Sequence, residues 1–545
     1  MRSKNNILHG PKPVGTVEDG TVGNYMFNML KKYASLPACI TEPETNKTIS
    51  YRELLESTCR LAQSLTNNGY HQNTVISICS DNCIYCVYPT IAAFYRGLIV
   101  APINPNYTER EMVHILSISK PQVMFCSKNT LAKVKQVQKK LSFLKKLIVL
   151  DSKDDIMDVE SLQNFIKNYS ETNFNVEKFE PFDFDRDEQV AIVLCSSGTT
   201  GLPKGVMLTH KNFMLRFMHC RDPEYGTARH VKEGGTVLNF MPLFHNFGCT
   251  VTLGYLTLGL HIIQLQKYTN ELFLESIQKY KVKSTLVVPP IMVFLVKSDM
   301  VDKYDLSSLT EIGCGAAPLS KEIITGIENR LHIKNIRQGY GLTETTLVVS
   351  LTPLNGNKVG SAGKLLPLNS AKIVDIDTKK CLGPYELGEI YFKGDLLMKG
   401  YMGNNEATRD SIDDDGWFHT GDIGYYDDEE YFFVVDRIKE LIKYKGFQVA
   451  PAEIEALLLE HPKIKECAVV GKPDDLAGEL PTAFIVNQPG ENLTDNEVHD
   501  YLKDKISNAK RLRGGIKFVD AIPRNSTGKI LRRELKEALQ QQSKL

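Results

Sequence analysis

The stretch Ser196-Ser197-Gly198-Thr199-Thr200-Gly201-Leu202-Pro203-Lys204-Gly205 directly follows the apolar run VAIVLC. Its small residues let backbone N–H groups curl round phosphate oxygens, its hydroxyls add donors, and its lysine brings positive charge. The loop is not a Walker A motif, because the GxxxxGK[ST] spacing is absent. Read alone, it is also compatible with a flexible surface hairpin. A second candidate for chemistry, the CxxC of Cys83 and Cys86, falls in the segment DNCIYCVYPTIAAFYRG. One-face apolar packing of a helix explains that spacing better than a redox or zinc site.

Four further motifs follow in order: Gly339-Tyr340-Gly341-Leu342-Thr343-Glu344, Gly416-Trp417-Phe418-His419-Thr420-Gly421-Asp422, Asp436-Arg437-Ile438-Lys439 and Asn525-Ser526-Thr527-Gly528-Lys529. With the Ser196–Gly205 loop they resemble the adenylate-forming superfamily, which includes acyl-CoA synthetases, peptide-synthetase adenylation domains and beetle luciferases. Within it the chain is most similar to click-beetle and firefly luciferases and their non-luminous fatty acyl-CoA synthetase relatives, through FHNFG, CGAAPLSKE, IKYKGFQVAPAE, AGELP and KRLRGG. The similarity spans nearly the whole chain.

The resemblance implies ATP, Mg²⁺ and CoA as cofactors and a small-molecule carboxylic acid as substrate. Forming an acyl-adenylate brings a carboxylate against the ATP α-phosphate while pyrophosphate leaves, so cations and fixed N–H dipoles are required. The implied nucleotide site comprises Ser196, Ser197, Gly198, Thr199, Thr200, Gly201, Lys204, Gly315, Ala316, Ala317, Pro318, Gln338, Gly339, Tyr340, Gly341, Leu342, Thr343, Glu344, Asp422, Arg437 and Lys529. Within it, Tyr340 stacks on adenine, the Gly315–Pro318 turn meets the base edge, and Asp422 accepts from two ribose hydroxyls with help from Arg437. Glu344 and Thr200 are the expected Mg²⁺ ligands, since a hard cation wants oxygen. Trp417 is expected to pack rather than to touch a ligand.

Lys529 is the implied catalytic lysine that bridges carboxylate and α-phosphate. Lys443 and Gly446 are expected to face the active site during thioester formation, after the small domain turns about Asp436. His245 is the implied acyl-site histidine, in a pocket shared with Arg216, Phe247, Ala316 and Leu347.

One position departs from the luminescent pattern. Luminescent beetle enzymes resemble Glu-Thr/Ser-Thr-Ser after the glutamate, whereas this chain reads Glu344-Thr345-Thr346-Leu347. A leucine cannot hydrogen-bond to a heteroaromatic luciferin, and an unpaired polar atom in a desolvated pocket costs about 1–3 kcal/mol. An alkyl chain gains from the same leucine. Asn246, where luciferases carry glycine or alanine, adds to the mismatch. The expectation is therefore a medium- to long-chain fatty acyl-CoA synthetase, with a luciferase as the alternative.

Positioning these residues requires an α/β framework. VISICS, an Asp81-Asn82 helix start, an apolar-periodic helix to Gly97 and LIVAPIN read as a β-α-β unit; STLVVPP and LTEIGCGAAPLSKEIITGIENRL read alike. Runs apolar on both faces indicate parallel strands covered by helices. The uncharged segment from Gly234 to Gln266 is broken by Pro242, His245, Asn246 and glycines, so it reads as strand, loop, helix and strand rather than as a membrane span. After Arg437 short elements replace the long ones, among them a helix opened by the capping box Thr494-x-x-Glu497. The expected fold is a large N-terminal domain of helix-covered sheets, 1–436, and a small mobile α+β domain, 437–545, with no Gly/Ser linker between them.

Composition excludes several other classes. The 545 residues suffice for three or four units at roughly 150 residues each. A 42% apolar content excludes disordered and fibrous chains. Lys plus Arg equal Asp plus Glu at 65 each, which removes any general pull toward nucleic acid or an anionic membrane. The 12 scattered cysteines are expected to be reduced. Ser543-Lys544-Leu545 is the tripeptide read by a peroxisomal import receptor, so peroxisomal delivery is expected.

Overall fold

Strands followed by helices build two large sheets, one of eight strands and one of nine. The computed structural model describes residues 6–196, 203–315, 319, 321–354, 356, 358–445, 447–525 and 528–542, the last three without side chains. In the first sheet the parallel strands Val75–Cys79, Ile99–Pro102 and Val123–Cys126 lie side by side, and Val190–Ser196 joins them through Ile192. Lys204–Thr209 then runs antiparallel to Val190–Ser196, with Ser196 opposite Lys204. The flanks of the phosphate-loop candidate, Ser196 and Lys204, are therefore held opposite each other by strand pairing. The second sheet carries His261–Gln264, Thr236–Asn239, Ser284–Val287, Glu311–Cys314 and Asn335–Tyr340 in parallel.

The parallel strands of the first sheet are buried on both faces, as their largely apolar runs predict; Ile76, Val100, Val123 and Ile192 are fully enclosed. Each such side chain contributes about 1.5–3 kcal/mol by leaving water. A third, five-stranded antiparallel sheet takes in Asn369–Val374, Gly388–Gly394, Phe418–Tyr426 and Phe432–Arg437. The segment 234–266 folds as expected, with strands Thr236–Asn239 and His261–Gln264 flanking the helix Asn246–Thr257. Among the described residues no helix is long and apolar enough to cross a membrane.

The predicted helix start at Asp81-Asn82 is corrected. The helix spans Val87–Arg96 after a 3₁₀ turn, Ile84–Cys86. Asn82 instead ties the first sheet to the second: its amide donates to the Phe240 and Met241 carbonyls and its Oδ1 accepts from Leu243 N. Side-chain bonds to a distant segment win over a local cap. Cys83 consequently sits in extended backbone before the turn, not on a helix face.

Sheet membership changes between Arg437 and Ile442. Beyond it, Ile464–Asp474 and Gly478–Asn487 form a long antiparallel ladder; Ile442–Tyr444 joins Gly478–Asn487 and carries Phe447–Val449 on its other side, and Ile516–Phe518 joins in parallel. The Thr494 capping box forms as read: Thr494 Oγ1 accepts from Glu497 N, and Glu497 Oε2 accepts from Thr494 N at 2.9 Å. The helix Pro451–Glu460 lacks a capping side chain at Ala450. Its ends are held from elsewhere. Asp436 Oδ2 accepts from Ala452 N at 2.9 Å, and Lys297 Nζ, from the large domain, donates to the Leu459, His461 and Ile464 carbonyls at 3.0, 3.5 and 3.1 Å. A carboxylate at the amino end and an ammonium at the carboxyl end both suit the helix dipole.

Candidate active site

The C-terminal ends of parallel strands, where open α/β sheets receive ligands, carry several of the predicted residues. Ser196 ends its strand, Gly315 follows Glu311–Cys314, and Gly339-Tyr340 closes Asn335–Tyr340. A methyl group on Gly341 would stand 1.9 Å from the Leu347 carbonyl oxygen, so the turn from Leu342 to Leu347 requires a glycine beneath it. Gln338 Oε1 accepts from Leu319 N at 3.0 Å, which fixes the backbone four residues beyond Gly315. Phe247 closes the gap between the nucleotide and acyl candidates: its ring lies 3.9 Å from the Cβ position of Gly315.

The charged residues form one electrostatic group. Asp422, buried on Phe418–Tyr426, accepts from the Tyr340 hydroxyl at 2.5 Å through Oδ2 and pairs with Arg437 Nε at 3.1 Å through Oδ1. Arg437 thus acts on the carboxylate itself. Burial opposes its charge, but Asp422 prevails and holds the guanidinium above its ordinary pKa. Burial pushes the Tyr340 phenol well up, with Asp422 adding. Lys529 enters this group from the small domain. Solvent reaches it along the cleft, yet the surrounding protein lowers its pKa, Arg437 adds by repulsion, and Asp422 and Glu344 oppose. Its loop is a tight knot: Asn525 N donates to Lys529 O, Lys529 N to Asn525 Oδ1, and Arg524 Nη1 to Gly528 O, all between 2.8 and 2.9 Å. Gly528 has φ +81° and lies against Val288 of the large domain.

His245 caps the helix Asn246–Thr257, its Nδ1 accepting from Phe247 N at 3.2 Å. Burial lowers its pKa to about 4, with the Lys529 charge contributing. The ring is neutral at pH 7, and with Nδ1 as acceptor its proton sits on Nε2. Glu344 is buried in the short turn Thr343–Thr345 and accepts from the Tyr401 hydroxyl at 3.0 Å. Lys204 Nζ stands 4.7 Å above the Tyr401 ring. Tyr401 was not foreseen from sequence; its two-residue strand carries no motif, and only its pairing with Val206 reveals it.

Leu347 is half-buried and, like Phe247, Leu243 and Leu342, packs against one large core cluster. Its φ of 87° is strained for a leucine. Arg216, fully packed on His210–Arg221, has no partner for Nε among the described residues, and its electrostatic neighbours are His219, Tyr255 and Arg337. Trp417 packs with Val374 and Tyr391, beneath Lys372. Lys443 lies apart, exposed on Ile442–Tyr444. Ser197, Gly198, Thr199, Thr200, Gly201, Ala316, Ala317, Pro318, Gly446 and Ser543–Leu545 lie outside the described residues.

Fold and site together define an AMP-binding enzyme. The family model for AMP-binding enzymes matches residues 28–402 and that for the AMP-binding enzyme C-terminal domain matches 453–529. The chain belongs to this adenylate-forming family. It is 49% identical to a luciferin 4-monooxygenase of Photuris pensylvanica, with 98% of each chain covered. It is 36% identical to a 4-coumarate-CoA ligase of Narcissus pseudonarcissus, covering 95% of this chain and 93% of that one. Among solved structures it is similar to a red-emitting luciferase from Phrixothrix hirtus, at 47% identity and a TM-score of 0.75 over 98% of this chain and 99% of that one.

Proposed function

We propose that the protein is an ATP-dependent fatty acyl-CoA synthetase acting on medium- to long-chain acids through an acyl-adenylate. The observation that carries this reading is Leu347, a half-buried alkyl side chain packed against the same core cluster as Phe247, Leu243 and Leu342, where a luciferin would want a hydroxyl. Asp422 takes the ribose hydroxyls, Tyr340 and the Gly315 turn take the base, and Lys204 takes the outer phosphates. Lys529 balances the charge that gathers between carboxylate and α-phosphate, a donor already in place when the charge forms. Neutral His245 donates from Nε2 toward the carboxylate without adding charge. Glu344 fits Mg²⁺, since its buried carboxylate has a hydroxyl partner and, among the described residues, no paired cation; the ion supplies charge neutralisation for the phosphates. CoA arrives after the small domain turns about Asp436, bringing Lys443 and Gly446 to the cleft.

A luciferase is the second reading, favoured by the 49% identity to a luciferin 4-monooxygenase. Light emission with luciferin and AMP release with lauric and oleic acids, with and without CoA, separate the two. CoA-dependent AMP release with little light supports the synthetase; strong light from the unmodified chain overturns it. Leu347→Ser should raise light output roughly 5- to 150-fold, equivalent to about 1–3 kcal/mol, while weakening use of alkyl acids. The proposal includes peroxisomal delivery through Ser543-Lys544-Leu545; removing the three residues should leave an active cytosolic enzyme, as seen by fluorescence microscopy of a tagged chain.

A further inference from the structure

The CxxC motif takes no part in that mechanism, and its geometry is unlike the helix-face packing that its spacing predicts. Cys83 lies in extended backbone and Cys86 ends the 3₁₀ turn that leads into Val87–Arg96, so both thiols gather at the helix's amino end. Their sulfurs are 3.4 Å apart. Cys86 Sγ also reaches the Asp81 carbonyl at 3.4 Å, and Cys83 Sγ stands 3.8 Å from Ser80 Oγ. Asn82, bonded to Phe240, Met241 and Leu243, fixes the backbone on the amino side of the pair.

Cys86 borders a cavity with room for a water-sized molecule. Ser80, Thr90, Leu243, Phe244 and Cys249 share its wall. The hydrogen bond from Cys83 lowers the Cys86 thiol's pKa against the opposing effect of burial, while Cys83, as donor, is pushed well above its ordinary value. Nearby thiols differ: burial pushes Cys79 and Cys249 up to about 12. The thiolate is the reactive form, so one sulfur of the pair is prepared to attack and the other to follow.

We propose that Cys83 and Cys86 form a redox-active dithiol that closes to an intrachain disulfide when a hydroperoxide enters this cavity. The Cys86 sulfur attacks one peroxide oxygen and the O–O bond breaks, giving a sulfenic acid and, with hydrogen peroxide, one water. The Cys83 sulfur then attacks the sulfenic sulfur, the S–OH bond breaks, and a second water leaves. The two thiols lose two electrons and two protons, and the peroxide is reduced to two waters. The sulfurs must close from 3.4 Å to about 2.05 Å, a movement within reach of side-chain rotation. This assignment is independent of the acyl substrate.

The test treats the reduced full-length protein with graded hydrogen peroxide, denatures it in iodoacetamide and quantifies alkylation in the tryptic peptide Leu61–Arg96, which holds Cys79, Cys83 and Cys86. Cys83 and Cys86 should disappear together from the alkylated pool, before Cys79 and Cys249, and return with dithiothreitol. Cys83→Ser should leave Cys86 as a sulfenic acid trapped by dimedone; Cys86→Ser should leave Cys83 unoxidised. Should either variant fold poorly by circular dichroism, the order of oxidation in the unmodified chain decides. Oxidation of Cys83 and Cys86 no earlier than Cys79, or only once the protein unfolds, overturns the proposal, as does a folded Cys83→Ser that gives no dimedone adduct.

Discussion

Two lysines of the small domain are presented in opposite ways. Lys529 is set by a knotted turn into a cleft where Arg437, Asp422 and Glu344 already act on its charge. Lys443 is exposed on a strand paired on both sides, to Phe447–Val449 and to Gly478–Asn487, its backbone N–H held by Glu479 Oε2 at 2.9 Å; Phe447 is 61% and Leu476 94% exposed. The difference teaches that one domain carries a finished face and an unfinished one, and that the described arrangement completes the first.

The sharpest way to break this comparison is Lys529→Ala. Acyl-adenylate formation should fall about 10²–10³-fold, as for loss of one charge-stabilising donor, while conversion of supplied acyl-adenylate to thioester is nearly unchanged; pyrophosphate exchange and thioester assays measure the two. Equal damage to both half-reactions refutes the division. Lys443→Ala should do the reverse, slowing CoA capture about tenfold, the worth of roughly 1.4 kcal/mol, with adenylation preserved.

The pH profile is a gentler probe. A lysine whose pKa is lowered keeps its proton only below that lowered value, so adenylation should fall with rising pH earlier than an ordinary lysine would dictate. Lys529→Arg should move the fall to more alkaline pH at a lower maximal rate, because a guanidinium stays charged. The smallest effect is expected from Lys297→Met, which removes three carbonyl contacts across the domain boundary. Adenylation should slow several-fold and thioester formation should not; unchanged adenylation would show that the contact does not hold the arrangement.

Much of this framework is visible in the chain before folding. Strands such as Val75–Cys79 and Ile99–Pro102 are local apolar runs, and the glycines at 339 and 341 announce close approach. Long-range polar contacts are not visible in that way. Asn82 looks like a cap because caps are local, yet its partners are about 160 residues away. Lys297 binds carbonyls, which every residue possesses, so no side-chain pattern betrays it. Tyr401 meets Glu344 only because a two-residue strand pairs beside Lys204–Thr209.

Asp422 carries one more consequence. Its two oxygens are already engaged, one by the Tyr340 hydroxyl and one by Arg437, while Thr420 Oγ1 accepts from its backbone N–H. A carboxylate has about four acceptor sites, so both oxygens can still take a hydroxyl. What it no longer has is freedom to spin. A nucleoside diol arriving there meets a partner whose torsional entropy was surrendered on folding, sparing about 0.5–1.5 kcal/mol that a mobile side chain would lose on capture.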